Sequence, residues 1–226
     1  MYKDKRILAL VPARSGSVRI KNKNMQKVCG VSLIGWAGMV LRALDWVDVK
    51  AISTDSREYA LEGRNHSLEV LMRPDSLSQG QHRSIVPTMI HALDEMESKN
   101  NTKYDVLLLV EPTAPTRTLD DLTGIINLYT ELPDADAVIS VGIFHKHLLG
   151  FGYNSLWHIL DDSQEIYWWN GVGYAYNTTS LRNQQTILPI NSYPYIIDRP
   201  VANIDTPIDL VVAEQLMREG TDWLKA

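Results

Sequence analysis

The chain has 226 residues, 45% of them hydrophobic, enough to bury one substantial core and too few for two full domains. Its net charge of -5 gives no broad basic field to neutralise a phosphate backbone, which argues against nucleic acid as the main partner. Small anionic ligands need only local charge and stay in play. The single cysteine, Cys29, rules out an intrachain disulfide and a thiol-rich metal site.

The first apolar stretch is interrupted by Pro12 and Arg14, too short for a signal-peptide core or a membrane span, so a cytoplasmic protein without membrane contact is expected. Ile7 to Val11 reads as a strand. Leu33, Trp36, Ala37, Val40, Leu41 and Leu44 recur at helical spacing, predicting a helix over Ser32 to Asp45 with that stripe inward. Further strands are predicted at Val49 to Ser53 and Leu68 to Met72, and helices at Arg57 to Asn65 and Ser84 to Met96. The unbroken run VLLLV within Asp105 to Val110 is typical of a central strand buried on both faces, and its end should lie beside the ligand site. Thr118 and Asp121 form a capping signature for a helix running to about Leu132, with a strand following at Ala137 to Val141. Thr206, Pro207 and Asp209 similarly open a helix through Met217. Alternating strands and helices of this kind predict an α/β fold of three layers, a mostly parallel sheet with helices on both faces.

Between 142 and 194 the pattern loosens into aromatic-rich pieces such as YWWNGVGYAYN. This stretch reads as an excursion from the sheet within a single domain spanning 1–226. Trp157, Trp168, Trp169, Tyr174 and Tyr176 supply amphipathic surface of the kind enriched at interfaces, although such clusters also serve as core.

The most informative segment is PARSGSVRIKNKN, Pro12 to Asn24, directly after the first strand. Loops at the carboxyl ends of parallel strands are where open α/β sheets bind ligands, and Gly16 permits close backbone approach by phosphate oxygens. Arg14, Arg19, Lys21 and Lys23 add positive charge suited to a transferring phosphoryl group and departing pyrophosphate. The alternative is a solvated basic loop. Neither a Walker A pattern nor GxGxxG is present.

At this loop the chain resembles the acylneuraminate cytidylyltransferases, with the Kdo cytidylyltransferases as cousins. The family's PAR-x-[GN]-S-K-x-x-x-x-KN loop is matched at Arg14, Gly16, Ser17, Lys23 and Asn24. STDS from Ser53, RPDSLS from Arg73, EPTAPTRTLDDL from Glu111, ISV at Ile139, NGVGYAY from Asn170 and NIDTPIDL from Asn203 resemble further family segments in the same order. The resemblance implies a nucleotide-diphospho-sugar transferase-like fold, a small dimerisation or sugar-pocket excursion at 142–194, and a homodimer. It also implies transfer of CMP from CTP to an acidic 2-keto sugar of the sialic, legionaminic or pseudaminic type. By the same resemblance Arg14, Gly16, Ser17, Arg19, Lys23, Asn24 and Arg73 would bind the nucleotide, with Arg14, Lys23 and Asp205 central to catalysis. Mg2+ would bridge phosphate oxygens to acidic side chains.

Asp205 is the foremost Mg2+ ligand, because a hard ion takes one or two protein carboxylates; its alternative is helix capping, a task Thr206 and Asp209 already fill. Three residues depart from the family pattern: Val18 stands where the loop has lysine, Glu111 where it has glutamine, and Asn203 where it has aspartate. Glu111 is read as a second metal carboxylate and, with Asn170, Arg182 and Arg199, as a sugar contact. Arg182 and Arg199 could each meet a substrate carboxylate or form surface salt bridges. Asp55 could cap the following helix or contact ligand, and His145 and His147 suit a sugar-pocket or surface role better than a zinc site. The departures leave open a weakly active or inactive homologue that binds nucleotide or a partner, and a nucleotidyltransferase for Kdo or another sugar.

Overall fold

The computed structural model describes residues 1–78, 84–144, 149–151, 157–159 and 166–220. Strand β1 (Ile7–Pro12) is followed by a loop with one 3-10 turn, a short hairpin of β2 (Lys27–Val28) and β3 (Val31–Ser32), and helix α1 (Leu33–Ala43). Then come β4 (Val49–Thr54), α2 (Arg57–Asn65), β5 (Glu69–Met72), the short α3 (Asp75–Ser78), α4 (Val86–Asn100) and β6 (Val106–Leu109). Helix α5 (Leu119–Glu131) leads to β7 (Ala137–Ile143), a small pair β8 (Leu149–Phe151) and β9 (Trp157–Ile159), and the long β10 (Tyr167–Asn177). Helix α6 (Thr178–Gln184), β11 (Ser192–Ile196) and α7 (Pro207–Glu219) complete the described chain.

Seven strands form one sheet in the order β11-β7-β10-β6-β1-β4-β5. All run parallel except β10, which lies antiparallel between β6 and β7. Alternation along β1 divides the core. Ile7, Ala9 and Val11 pack with α1, α2 and α5 on one face, whereas Leu8 and Leu10 pack with α4 and α6 on the other. These are the three expected layers. A third apolar cluster joins Ile20 of the loop after β1 to Leu33 of α1, Ile204, and Ala213 and Met217 of α7. It explains why the α1 stripe is split: Leu33 and Trp36 face this cluster, while Ala37, Val40, Leu41 and Leu44 face the sheet.

Thr118 and Asp121 form the reciprocal capping box as expected. Ser32, read as the first residue of its helix, is instead the N-cap, accepting from the Gly35 N–H at 2.8 Å. The region 142–194 differs from expectation. Tyr167–Asn177 is not outside the sheet but inserted in it, with Tyr174 opposite Leu109 of β6 and Ile139 of β7, and β11 extends the sheet edge beside β7. Val172 and Ala175 fill one core and Tyr174 and Tyr176 the other, so this aromatic strand is core on both faces. Among the described residues only the β8–β9 pair in that region stands apart from the sheet. His145 and His147 lie outside the described residues, as does the side chain of Trp157.

Candidate active site

The parallel strands deliver their carboxyl ends to one side of the sheet, where the segments after β1, β5, β6 and β11 converge. A cleft of about 540 Å3 opens there, within the range of about 300–1,000 Å3 usual for small-ligand sites. Arg14, Ser17, Val18, Arg19, Lys23, Asn24 and Arg73 line one part of it. Glu111, Thr113, Asn203 and Asp205 line another.

The loop after β1 is held by bonds that converge from several elements. Ala13 N–H donates to the Ser53 carbonyl at 2.9 Å, and Asn24 Nδ2 donates to the Arg14 carbonyl at 3.1 Å. Asn24 is itself buried, so it both borders the cleft and fixes the backbone that carries Arg14. Asp55 does not cap α2, a task taken by Ser56, which accepts from Tyr59 N–H. Instead its carboxylate accepts from Ser15 N–H at 2.8 Å and Ser15 Oγ at 3.0 Å. Gly16 is not among the cleft-lining residues, and a Cβ placed there would approach only Arg14, at 3.8 Å. No close protein packing demands glycine at this position.

Arg73 reaches the cleft from the end of β5 and is anchored on Ser53, donating from Nη2 to its carbonyl at 3.0 Å and from Nε to its Oγ at 3.3 Å. Burial lowers its pKa, the like charge of Arg14 acts in the same sense, and Asp55 opposes both. Opposite this guanidinium pair, Lys23 Nζ donates to the Ile204 carbonyl at 2.9 Å and to Asp205 Oδ1 at 3.1 Å, with Arg19 3.9 Å from the same oxygen. The cationic loop and the late acidic side chain, 182 residues apart in sequence, therefore meet. Asp209 accepts from the backbone N–H groups of Asp205 and Thr206, at 2.9 and 2.7 Å, and caps α7 as expected. That leaves the Asp205 carboxylate out of the cap and 58% exposed in the cleft.

Glu111 follows the central β6. Burial raises the pKa of its carboxyl; Arg117, Thr113 and Lys23 oppose the rise, and Asp205 adds to it. Beneath it lies a residue that sequence reasoning left without a role. Arg117 is fully buried, donating from Nε to the Val172 carbonyl at 2.8 Å and from Nη2 to the carbonyls of Glu111 and Gly171. Burial lowers its pKa to about 10, against the attraction of Glu111 and Asp121. It rivets the loop after β6 to the irregular turn of β10, and nothing in PTAPTRT marks that arginine as buried. Gly171 is required nearby: its φ is +75°, and a Cβ there would meet Asn203 at 3.1 Å.

The four expected sugar contacts separate. Glu111 faces the cleft. Asn170 is wholly buried, with Oδ1 accepting from Ser140 Oγ at 2.6 Å and Val172 N–H at 3.2 Å, so it shapes β10 instead of lining the cleft. Arg182 is at the opposite end of the sheet, because β10 runs antiparallel and carries α6 away from the site. There it pairs with Asp94 at 2.5 Å and Glu97 at 3.1 Å, a salt bridge between helices. Arg199 follows β11 on the ligand side but bonds to Asp121 of α5 and does not line the cleft.

Glu111 and Asp205 are the residues that could hold a divalent cation. Asp205 already faces the positive groups of Lys23 and Arg19, and both residues offer hard oxygens at one part of the cleft. Among the described residues no cluster of three or more potential metal ligands occurs.

A family model described as Cytidylyltransferase matches residues 8–188. The chain belongs to that family. As a cytidylyltransferase it is a nucleotidyltransferase, and its relatives are distant. It is 27% identical over 136 residues to an N-acylneuraminate cytidylyltransferase of Escherichia coli, a match covering 60% of this chain but 31% of that protein. It is 24% identical to the CMP-N,N'-diacetyllegionaminic acid synthase of Legionella pneumophila, covering 97% and 99% of the two chains. Among solved structures, a CMP:2-keto-3-deoxy-manno-octonic acid synthetase complexed with CTP superposes with a TM-score of 0.72 at 13% identity, covering 95% of this chain and 99% of that one. A 4-diphosphocytidyl-2C-methyl-D-erythritol synthase from Anaerococcus prevotii gives 0.69 at 10% identity, over 95% and 96%. These likenesses establish the fold, a nucleotide-diphospho-sugar transferase-like α/β architecture.

Proposed function

We propose that this cytidylyltransferase joins CMP from CTP to the anomeric hydroxyl of an acidic 2-keto sugar of the sialic or legionaminic type, releasing pyrophosphate. The observation that carries the reading is the meeting of Lys23 with Asp205 in a cleft also lined by Arg14, Arg19 and Arg73. Those four cations suit a triphosphate. The names of the Escherichia and Legionella relatives support the acidic sugar. In this reading Arg14, Ser17, Arg19, Lys23 and Arg73 hold the phosphates in line, and the sugar hydroxyl attacks the α-phosphorus while its bond to pyrophosphate breaks. Positioning and fixed positive charge do most of the work. Asp205 and Glu111 would hold Mg2+, which when bound supplies neutralising charge on phosphate oxygens. The protein is taken to act in the cytoplasm as a homodimer.

Incubation with CTP, Mg2+ and a panel of 2-keto acid sugars, with pyrophosphate as the readout, tests this. Release that requires both sugar and metal is the expected result; Kdo as the sole accepted sugar would shift the substrate class. A second reading, a nucleotide-binding homologue without turnover, is favoured by Val18, which is 92% exposed at the cleft and places no charge where the family loop carries lysine. Tight CTP binding with no release from any sugar would select it.

A further inference from the structure

Two arginines that line the cleft, Arg14 and Arg73, carry like charges that repel. Such a pair needs a counter-charge and a rigid mount before a ligand arrives. Ser53 anchors Arg73, and Asp55 holds the turn beside Arg14. Asp55 is the first residue after β4, whose neighbour in the sheet is β1, with Pro12 in register with Ser53. This register brings the two loops together at the ligand end. The Asp55 carboxylate uses one oxygen for Ser15 N–H at 2.8 Å and the other for Ser15 Oγ at 3.0 Å, a two-point clasp across the strands. The turn continues from there, since Ser17 N–H donates to the Ser15 carbonyl at 2.9 Å, and Ser17 borders the cleft. Arg73 N–H donates to the Thr54 carbonyl at 2.7 Å, so the residue preceding Asp55 also fixes the backbone that carries the second guanidinium. Asp55 itself is not among the cleft-lining residues.

We propose that Asp55 is a positioning residue of the phosphate site: its carboxylate clasps the Ser15 turn beside Arg14 and offsets the Arg73 charge, so that both arginines stand ready for a polyphosphate. It touches no substrate. The inference rests on the proposed CTP site and deepens it. Without the clasp the 13–17 turn would have to be ordered at the moment of binding, and that cost would appear as lost affinity.

The test measures binding by calorimetry with Mg2+, using CTP and inorganic tripolyphosphate as separate probes, for the wild type, Ser15→Ala, Asp55→Asn and Asp55→Ala. Ser15→Ala loses one clasp bond and is expected to weaken CTP about twofold. Asp55→Ala is expected to weaken CTP and tripolyphosphate by the same factor, about tenfold, with Asp55→Asn between the two. Cytidine, lacking phosphates, should bind all four proteins alike. A purely structural role would lower the unfolding temperature and weaken cytidine and CTP together. Should Asp55→Ala not fold, Asp55→Asn, which keeps an acceptor for Ser15 N–H, carries the comparison. Wild-type-like CTP and tripolyphosphate binding in the folded Asp55 variants would overturn the inference and leave the CTP site standing. Absence of CTP binding in the wild type would overturn the proposed function as well.

Discussion

Lys23→Ala separates catalysis from stability more sharply than any other change in the cleft. The wild-type ammonium has two oxygen partners in the structure, the Ile204 carbonyl at 2.9 Å and Asp205 at 3.1 Å. Its side chain is 18% exposed and that of Asp205 58% exposed. An ion pair with so wet a partner contributes under about 1 kcal/mol to folding. The Ile204 bond adds about 1 kcal/mol. Against a bound triphosphate the same ammonium would make a charge-assisted contact worth about 1.5–3 kcal/mol, equivalent to about 10- to 150-fold in affinity. Lys23→Ala should therefore weaken CTP by that factor in calorimetry, while calorimetric unfolding shows a loss of no more than about 2 kcal/mol. Lys23→Arg should recover part of the affinity, since the charge remains and only the geometry changes. CTP affinity within about threefold of wild type in Lys23→Ala would refute the placement of the triphosphate beside this lysine.

Three further substitutions probe the same cleft and its surroundings. Glu111→Gln should weaken Mg2+ binding in the presence of CTP and remove an acid limb in its pH dependence; because burial raises the Glu111 pKa, that limb should lie above the ordinary carboxylate range. The same raised pKa means that the folded protein loses stability as pH rises from the unfolded carboxylate value through the folded one, so Glu111→Gln should unfold at higher temperature than wild type at neutral pH and show little gain below the unfolded value. Val18→Lys, at a position 92% exposed on the cleft, should tighten CTP several-fold, on the scale of one exposed charge contact, and change stability by less than about 0.5 kcal/mol; unchanged affinity would show that Arg19 already fills that place. Arg182→Ala should leave pyrophosphate release within about twofold, while breaking the bridge to Asp94 and the buried Glu97 costs about 1–2 kcal/mol in urea unfolding; a selective loss of sugar affinity would return this arginine to the acceptor site.

Much of this was legible wherever a signal is local. The run VLLLV announced a strand buried on both faces, and Val106 to Leu109 is central in the sheet. Caps at Thr118 and Thr206 bond within three or four residues, so residue spacing is enough to find them. The phosphate loop was readable because its cations follow a strand end directly. What sequence could not supply was partnership across long separations. YWWNGVGYAYN has the alternation of a strand, but nothing local says that it enters the sheet antiparallel between β6 and β7. That one insertion decides which end of the sheet receives Arg182 and buries Asn170. Arg117 escaped notice for a related reason: two of its three carbonyl partners are 54 and 55 residues away, which no composition records. Asp55 offered two roles of equal standing by sequence, and only the register of β4 on β1 shows that it clasps Ser15.

The proposed chemistry requires the nucleotide to lie in this cleft. A crystal structure with CTP and Mg2+ measures this directly. It should place the triphosphate between Arg14, Arg73 and Lys23, with Asp205 reaching the metal. Density for the nucleotide outside this cleft, with the Arg14 to Lys23 loop making no phosphate contact, would contradict it.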